Sequence, residues 1–306
     1  MSHRYCPLCD RLTTRPFKPG PGGRPDARCP SCKSLERHRF LAVLLGLLTP
    51  QLGHIGLLLD VAPTRFTTSL FENLHPGRYL RLDLGADNRR VDLLASLTGL
   101  PLSDGVVDLL VCYHVLEHVP EDRRAMEEIH RVLAPDGLAL LQVPWRPGAP
   151  TEEDPEASAE ERLRRFGQRD HVRIYGDDFE VRLREAGLVV ERVTPREILG
   201  EEIADWLRVI PHEAVWLARR QGNGAIGPSA PDTLTRMVRV LLDSKRKAET
   251  ARVRSAAEAR RVRHRNRRLK VANQELRDRL ARLSSSRAVR LSQRLARSPV
   301  ARLVRR

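Results

Sequence analysis

The strongest constraint on this chain is a succession of short apolar runs, each closing on an acid or a polar turn. In GLLLDVAPTRF, 56–66, an apolar run ends at Asp60 and passes into a turn, as the first strand of a nucleotide-binding sheet does. RYLRLDL ends at Asp83, about twenty residues beyond that turn, where dinucleotide and nucleoside folds place an acid against the ribose hydroxyls. VDLLVCYHVLEHV, the helical EDRRAMEEIHRVL, the turn APDG and the strand LALLQVP continue the series. This alternation predicts βαβ units and an α/β fold on a mainly parallel sheet.

The chain has 306 residues, room for one α/β domain with appendages. Four regions are expected: a cysteine-bearing segment with a connecting helix at 1–45, the sheet domain at 46–220, a Gly/Pro/Ser linker at 221–232, and a helical tail at 233–306. The net charge of +15 is concentrated in the tail. From Pro228 onward there are 24 Lys/Arg against 6 Asp/Glu, whereas the first 227 residues carry 30 against 33. Any polyanion must therefore meet the tail and not the body. No run approaches the ~20 uncharged apolar residues of a membrane span. The first ten residues, MSHRYCPLCD, lack an apolar signal region, so a cytosolic protein is expected.

Cys6-Pro-Leu-Cys9 and Cys29-Pro-Ser-Cys32 have the spacing of a zinc ribbon. Four thiolates close the Zn²⁺ tetrahedron and leave no open position, which predicts a structural and not a catalytic metal. Cys112 lies within an apolar strand and reads as a small core residue.

The stretch from Leu100 to Pro144 carries a resemblance. LPLSDGVVDLLVCYHVLEHVPEDRRAMEEIHRVLAPDGLALLQVP closely resembles the central block of class I S-adenosylmethionine-dependent methyltransferases of the type-11 kind. Members pair Leu-Pro-Phe with His-Val-Leu-Glu-His-Val and Arg-Val-Leu-x-Pro-Gly-Gly. Here Leu102 replaces the Phe and Asp136 the first Gly of the turn. The larger departure is at Asp60, followed by Val-Ala-Pro-Thr where most members carry Asp-x-Gly-x-Gly-x-Gly. The chain is similar end to end to a subgroup that joins a cysteine-paired amino terminus, SLERHR (34–39), an Ala-Pro first turn and FGQRDHVRIYGDDF (166–179). The resemblance implies a Rossmann-like, mainly parallel, seven-stranded sheet, with GLVVERV and AVWLARR as its closing antiparallel edge.

It also implies a cofactor site. Asp60 would hold the cofactor ammonium through water, Asp83 the ribose and Asp92 the adenine amino group, with Ala62, Pro63, Leu84, Leu93, Tyr113 and His114 completing the cofactor set. Ala62 is the smallest replacement for glycine, and Pro63 fixes φ near the value a following helix needs. The competing reading makes Asp60 and Asp83 mere strand-end caps. Tyr113 and His114 end the fourth strand and face the sulfonium side. His114 is the candidate base or acceptor-orienting group, against a helix-capping or cofactor-packing role; His118 is expected to pack beneath the site. In the long segment 151–179, Gln168, Asp170, His171, Arg173 and Tyr175 suggest a substrate lid. His171, Arg173 and Tyr175 join His114 as catalytic candidates; the bland alternative is a solvated loop. Arg37, His38 and Arg39 reach the rim or face water.

In the tail, RRVRHRNRRLK (260–270) is basic on all faces and suits phosphate, whether of nucleic acid or of an anionic membrane surface. Val271, Leu276, Leu280 and Leu283 form a short seam that points to a homodimer through 269–283. SRAVRLSQRLARSPVARLVRR resembles the tails that follow coiled coils in bacterial surface-glycan enzymes, though only loosely. Three readings follow. The first is a methyltransferase acting on a small molecule or surface-glycan precursor, tethered to a partner or to the inner face of the membrane. The second is a ribosomal-RNA or other nucleic-acid methyltransferase, against which stand the slightly acidic body and an aromatic content of 4%. The third is a non-catalytic scaffold.

Overall fold

The computed structural model describes residues 4–85, 91–220, 231–284 and 290. The elements run β1 (Arg4–Cys6), β2 (Arg11–Thr13), α1 (Glu36–Leu52), β3 (Leu57–Val61), α2 (Arg65–Glu72), β4 (Arg78–Asp83), β5 (Leu93–Leu94), β6 (Val107–Tyr113), α3 (Asp122–Val132) and β7 (Leu133–Gln142). They continue with β8 (Glu152–Glu153), α4 (Ala159–Phe166), β9 (Arg173–Ile174), α5 (Phe179–Glu185), β10 (Leu188–Val193), α6 (Pro195–Leu207), β11 (Val215–Arg220) and α7 (Pro231–Ser284).

Seven strands form one sheet in the order β10-β11-β7-β6-β3-β4-β5. Its β7 to β5 part is parallel, and β11 and β10 close the edge antiparallel, as expected for GLVVERV and AVWLARR. Chain order reverses between β3 and β6, so connections leave to opposite sides there and open a crevice at the strands' carboxyl ends. The parallel strands are apolar on both faces because both are covered. On β6, Leu110 and Cys112 point into one cluster with α3, while Leu109 and Val111 meet α1 and α6 on the other face.

The stretch APDG, read as a turn, lies inside β7. The register slips between Val107 and Leu109, so the extra residues are absorbed as an irregularity of the ladder. Gly137 makes this possible, since a Cβ there would stand 2.6 Å from the Val107 carbonyl oxygen.

The first 244 residues form one compact unit and Lys245–Arg306 a second. In the second unit, α7 is exposed all round over 261–280. The linker expected at 221–232, except its last two residues, lies outside the described residues, as does 285–306 apart from Arg290. No helix among the described residues is long and apolar enough to cross a membrane.

Candidate active site

The amino-terminal hairpin and the loop after it bring the four predicted cysteines together. All four sulfurs lie within 4.8 Å of one another, with Cys6 to Cys32 at 3.6 Å and Cys9 to Cys29 at 3.9 Å. A tetrahedron with Zn–S bonds of about 2.3 Å separates its sulfurs by about 3.8 Å, so the donor set fits Zn²⁺ in both chemistry and size.

This centre feeds directly into a wall of the crevice. Ser34 and Leu35 lead from Cys32 into α1, where the ring of His38 accepts the Leu35 N–H at Nδ1, 3.1 Å away. His38 is buried, stacks on Phe66, and is held neutral by desolvation, its pKa lowered to about 3. Arg39 is completely buried. Its guanidinium donates to the carbonyls of Ala27, Ser34, Leu207 and Arg208 and lies over Phe17. So Arg39 neither reaches the rim nor faces water: it staples the cysteine loop to the end of α6. Arg37 and His38 line the crevice.

The crevice encloses about 530 Å³ at the carboxyl ends of β3, β4 and β6. Such a volume is normal for a ligand of cofactor size. Asp60 lies at its base, almost fully buried, accepting from Tyr79 Oη at 2.8 Å and Thr67 Oγ1 at 3.4 Å. Burial raises its carboxyl from 3.8 to about 7, outweighing those two hydrogen bonds. Asp83 stands on the neighbouring strand end, and its Oδ1 accepts the Leu84 N–H at 2.8 Å. Leu84 is exposed and forms an outer wall.

The Ala-Pro turn has a definite geometry. Ala62 takes φ of 54°, the left-handed conformation that glycine adopts most cheaply, and donates its N–H to the Leu82 carbonyl at 2.8 Å. The missing glycine is thus replaced at the level of the backbone. Pro63 precedes the helix without starting it; α2 begins at Arg65 with Thr64 as its N-cap.

Asp92 is placed differently from what the resemblance implies. Its two carboxylate oxygens are taken up by the Arg81 guanidinium at 2.8 and 2.9 Å, and it does not line the crevice. Leu93 pairs with Leu82 in the sheet.

Tyr113 and His114 end β6 on the crevice wall. His114 also has a left-handed φ, 56°, which turns its ring toward a short 3-10 turn at Leu116–His118. There its Nδ1 lies 3.1 Å from Oε1 of Glu117, a completely buried carboxylate. Its Nε2 is buried without a hydrogen-bond partner, as are the Tyr113 hydroxyl and Glu117 Oε2. Sequence reasoning passed over Glu117, because the HVLEHV pattern does not reveal that its fourth residue points inward.

The segment after β7 forms a short antiparallel pair of β8 and β9, with α4 between them in sequence and packed beside β9. Arg173 is 1% exposed and donates to the carbonyls of Leu116, Val119 and Pro120 and to Glu153. Tyr175 is fully buried and donates to Asp122 at 2.9 Å. Neither lines the crevice. Burial and these bonds make Arg173 and Tyr175 supports of the loop that carries Glu117 and His118. His171, also buried, donates from Nδ1 to the Phe166 carbonyl at 3.2 Å, and its ring meets that of His118 edge to face. Of the lid residues only Asp170 reaches the crevice, beside His118. Gly176 lies so close to Ala149 and Pro150 that any Cβ would collide with them.

A mainly parallel seven-stranded sheet with this strand order, an antiparallel edge and a crevice at the order reversal fits the Rossmann-like methyltransferase fold. Residues 64–141 match the methyltransferase domain family. An uncharacterized methyltransferase from Mycobacteroides abscessus is 47% identical over 55 residues, 18% of this chain and 21% of the relative's length. Another, from a Mycobacterium species (strain KMS), is 49% identical over 47 residues, covering 15% of this chain and 19% of the relative. The chain thus matches about a fifth of these relatives. Among solved structures it is similar to a sarcosine dimethylglycine methyltransferase, described as putative, from Galdieria sulphuraria: 18% identity, TM-score 0.41, 61% of this chain and 84% of that one. It is also similar to the Burkholderia thailandensis 1,6-didemethyltoxoflavin-N1-methyltransferase: 19% identity, TM-score 0.42, 60% and 78%.

Proposed function

We propose that this chain transfers the methyl group of S-adenosylmethionine to a small molecule or a glycan precursor. The observation that carries this reading is the convergence of Asp60, Asp83, Ala62 and His114 on one crevice. Asp60 would hold the cofactor's ammonium and Asp83 its ribose, while the left-handed Ala62 would let the backbone approach. The cofactor supplies a sulfonium methyl. His114 presents its unpartnered Nε2 to the acceptor while Glu117 fixes its ring, so an acceptor that keeps its proton at neutral pH loses it to His114. Bound there, the cofactor would give its methyl carbon to the deprotonated atom and keep the C–S bonding pair on sulfur. Much of the rate comes from alignment in a dry site. Cys6, Cys9, Cys29 and Cys32 would hold Zn²⁺ as a structural tie for the loop from which α1 springs.

Calorimetric titration of S-adenosylmethionine and S-adenosylhomocysteine into the zinc-loaded protein tests the reading. Micromolar binding that Asp83→Ala abolishes supports it. A folded protein that binds neither would be a scaffold that retains only the fold.

The second unit favours a role in docking. Seven arginines and lysines between 260 and 270 are solvent-exposed on α7, which suits a phosphate-bearing surface, and an inner membrane face agrees with the first reading. Nucleic acid as the polyanion would instead favour the RNA reading. Val271, Leu276, Leu280 and Leu283 are exposed on the same helix and suit a second copy of this chain as their partner.

A further inference from the structure

Glu117, which holds His114, lies with His118 and His171 so that one donor atom from each is within 4.8 Å of the others. Two of the three are incompletely satisfied. Glu117 is completely buried, and its Oε2 has no hydrogen-bond partner. His171 is 3% exposed, and a carbonyl fixes its tautomer: the Phe166 oxygen can only accept, so Nδ1 carries the proton and Nε2 a lone pair. That Nε2 has no partner and faces Glu117 Oε1 at 4.0 Å, too far for a hydrogen bond. Glu117 Oε1 accepts from His114 Nδ1 at 3.1 Å, but its Oε2 and the His171 lone pair remain as two buried acceptors that no protein donor meets. Such an arrangement calls for a cation.

The surroundings have the form of a metal site. An imidazole that ligates a metal usually donates its other N–H to a carbonyl or carboxylate, as His171 does to Phe166. His118 leans on the Asp170 carbonyl and carboxylate at 3.2 and 3.3 Å. Arg173 clamps the loop bearing Glu117 and His118 through three carbonyls. Two imidazoles and one carboxylate suit first-row divalent ions.

We propose that Glu117, His118 and His171 form a divalent-cation site in the crevice wall, and that its ion binds a hydroxyl oxygen of the acceptor. His118 also lines the crevice, which leaves the ion accessible from the acceptor side. An ion there lowers the pKa of a bound hydroxyl, so the proton passes to His114 and the oxygen attacks the methyl carbon. The site stands on its own geometry; the role for the acceptor rests on the methyl-transfer reading. The acceptor class is then a hydroxylated molecule methylated on oxygen.

Co²⁺ is the probe, because it binds nitrogen and oxygen sites more tightly than Mn²⁺ or Fe²⁺ and reports its ligands optically. Tag-free, zinc-loaded, full-length protein is titrated with Co²⁺, without cofactor, by calorimetry and visible absorption. The site predicts one further equivalent without a thiolate charge-transfer band, and at least about tenfold weaker binding in His118→Ala and in Glu117→Gln. Thermal unfolding checks that both variants fold; His118 is half-exposed and its loss tolerable. No binding beyond the ribbon, or binding that neither folded variant weakens, overturns the proposal. S-adenosylmethionine titration of the same samples separates the two readings. Co²⁺ binding without cofactor binding sinks the methyl-transfer reading alone, and cofactor binding without Co²⁺ binding sinks the cation site alone.

Discussion

Ala62 and His114 share left-handed backbones, φ 54° and 56°, at the carboxyl ends of the adjacent parallel strands β3 and β6. Two non-glycine residues in this conformation side by side mark where the sheet is bent to its task, since each costs about 1–2 kcal/mol that the surrounding structure must offset.

That strain gives a test of the Ala-Pro turn. Ala62→Gly should leave stability unchanged or raise it by up to about 1 kcal/mol, while Ala62→Val, β-branched in the same conformation, should cost about 2 kcal/mol or more. Chemical denaturation of both variants decides this. Equal effects would mean that the turn is not held left-handed in solution.

Asp60 predicts a pH dependence. Its carboxyl titrates at about 7 when folded against an ordinary 3.8, so the folded state holds a proton that the unfolded chain has already released. Its contribution to stability is therefore full below about pH 4 and declines as pH rises towards 7. Tyr79, Thr67 and Arg81 oppose the shift without cancelling it. A cofactor cation reverses the preference, so S-adenosylmethionine affinity should increase as pH passes upward through 7. Asp60→Asn should flatten both profiles, as measured by denaturation and calorimetry across pH 5 to about 8. An unaltered binding profile would remove Asp60 from the cofactor contacts.

Arg173 is a positioning residue. Lysine has the charge but not the fork that reaches Leu116, Val119, Pro120 and Glu153 together. Arg173→Lys should lower stability by about 2–4 kcal/mol. Thermal unfolding measures the loss. A fully stable variant defective only in acceptor KM would return Arg173 to the crevice.

The ribbon and the crevice should fail together. Cys32→Ser leaves three thiolates and should lose zinc, as elemental analysis reports, and should also weaken cofactor binding, because His38 and Arg37 follow on the helix that the ribbon anchors. Cofactor affinity that survives zinc loss would uncouple the two.

Reversing Arg260, Arg261 and Arg263 to Glu should reduce binding to anionic vesicles and make it less salt-sensitive. If vesicles are ignored and RNA is bound with that same dependence, the nucleic-acid reading gains.

Much was legible beforehand because the relevant signals are local. The cysteine spacing and the apolar runs closing on Asp60 and Asp83 are set by neighbours in sequence, whereas the antiparallel edge was legible only through the family resemblance. Glu117 was not legible: a buried carboxylate within HVLEHV looks like any helical acid until the left-handed His114 turns the chain. Arg173 and Tyr175 look catalytic because polar residues in a long segment after a strand usually serve substrates. Their donors prove to be spent on Leu116, Val119, Pro120 and Asp122, more than fifty residues away in sequence, and on Glu153, twenty residues away. Asp92 likewise finds its partner across a strand, in Arg81.

The sequence by itself determined the α/β class, the four-thiolate cluster, the acids at the strand ends and the confinement of positive charge to the tail, since hydrophobic period, spacing and charge are properties of neighbouring residues. Only the tertiary structure decided which polar side chains face the crevice and which support it. That choice depends on desolvation and on hydrogen-bond partners supplied by distant parts of the chain, and no local pattern encodes either.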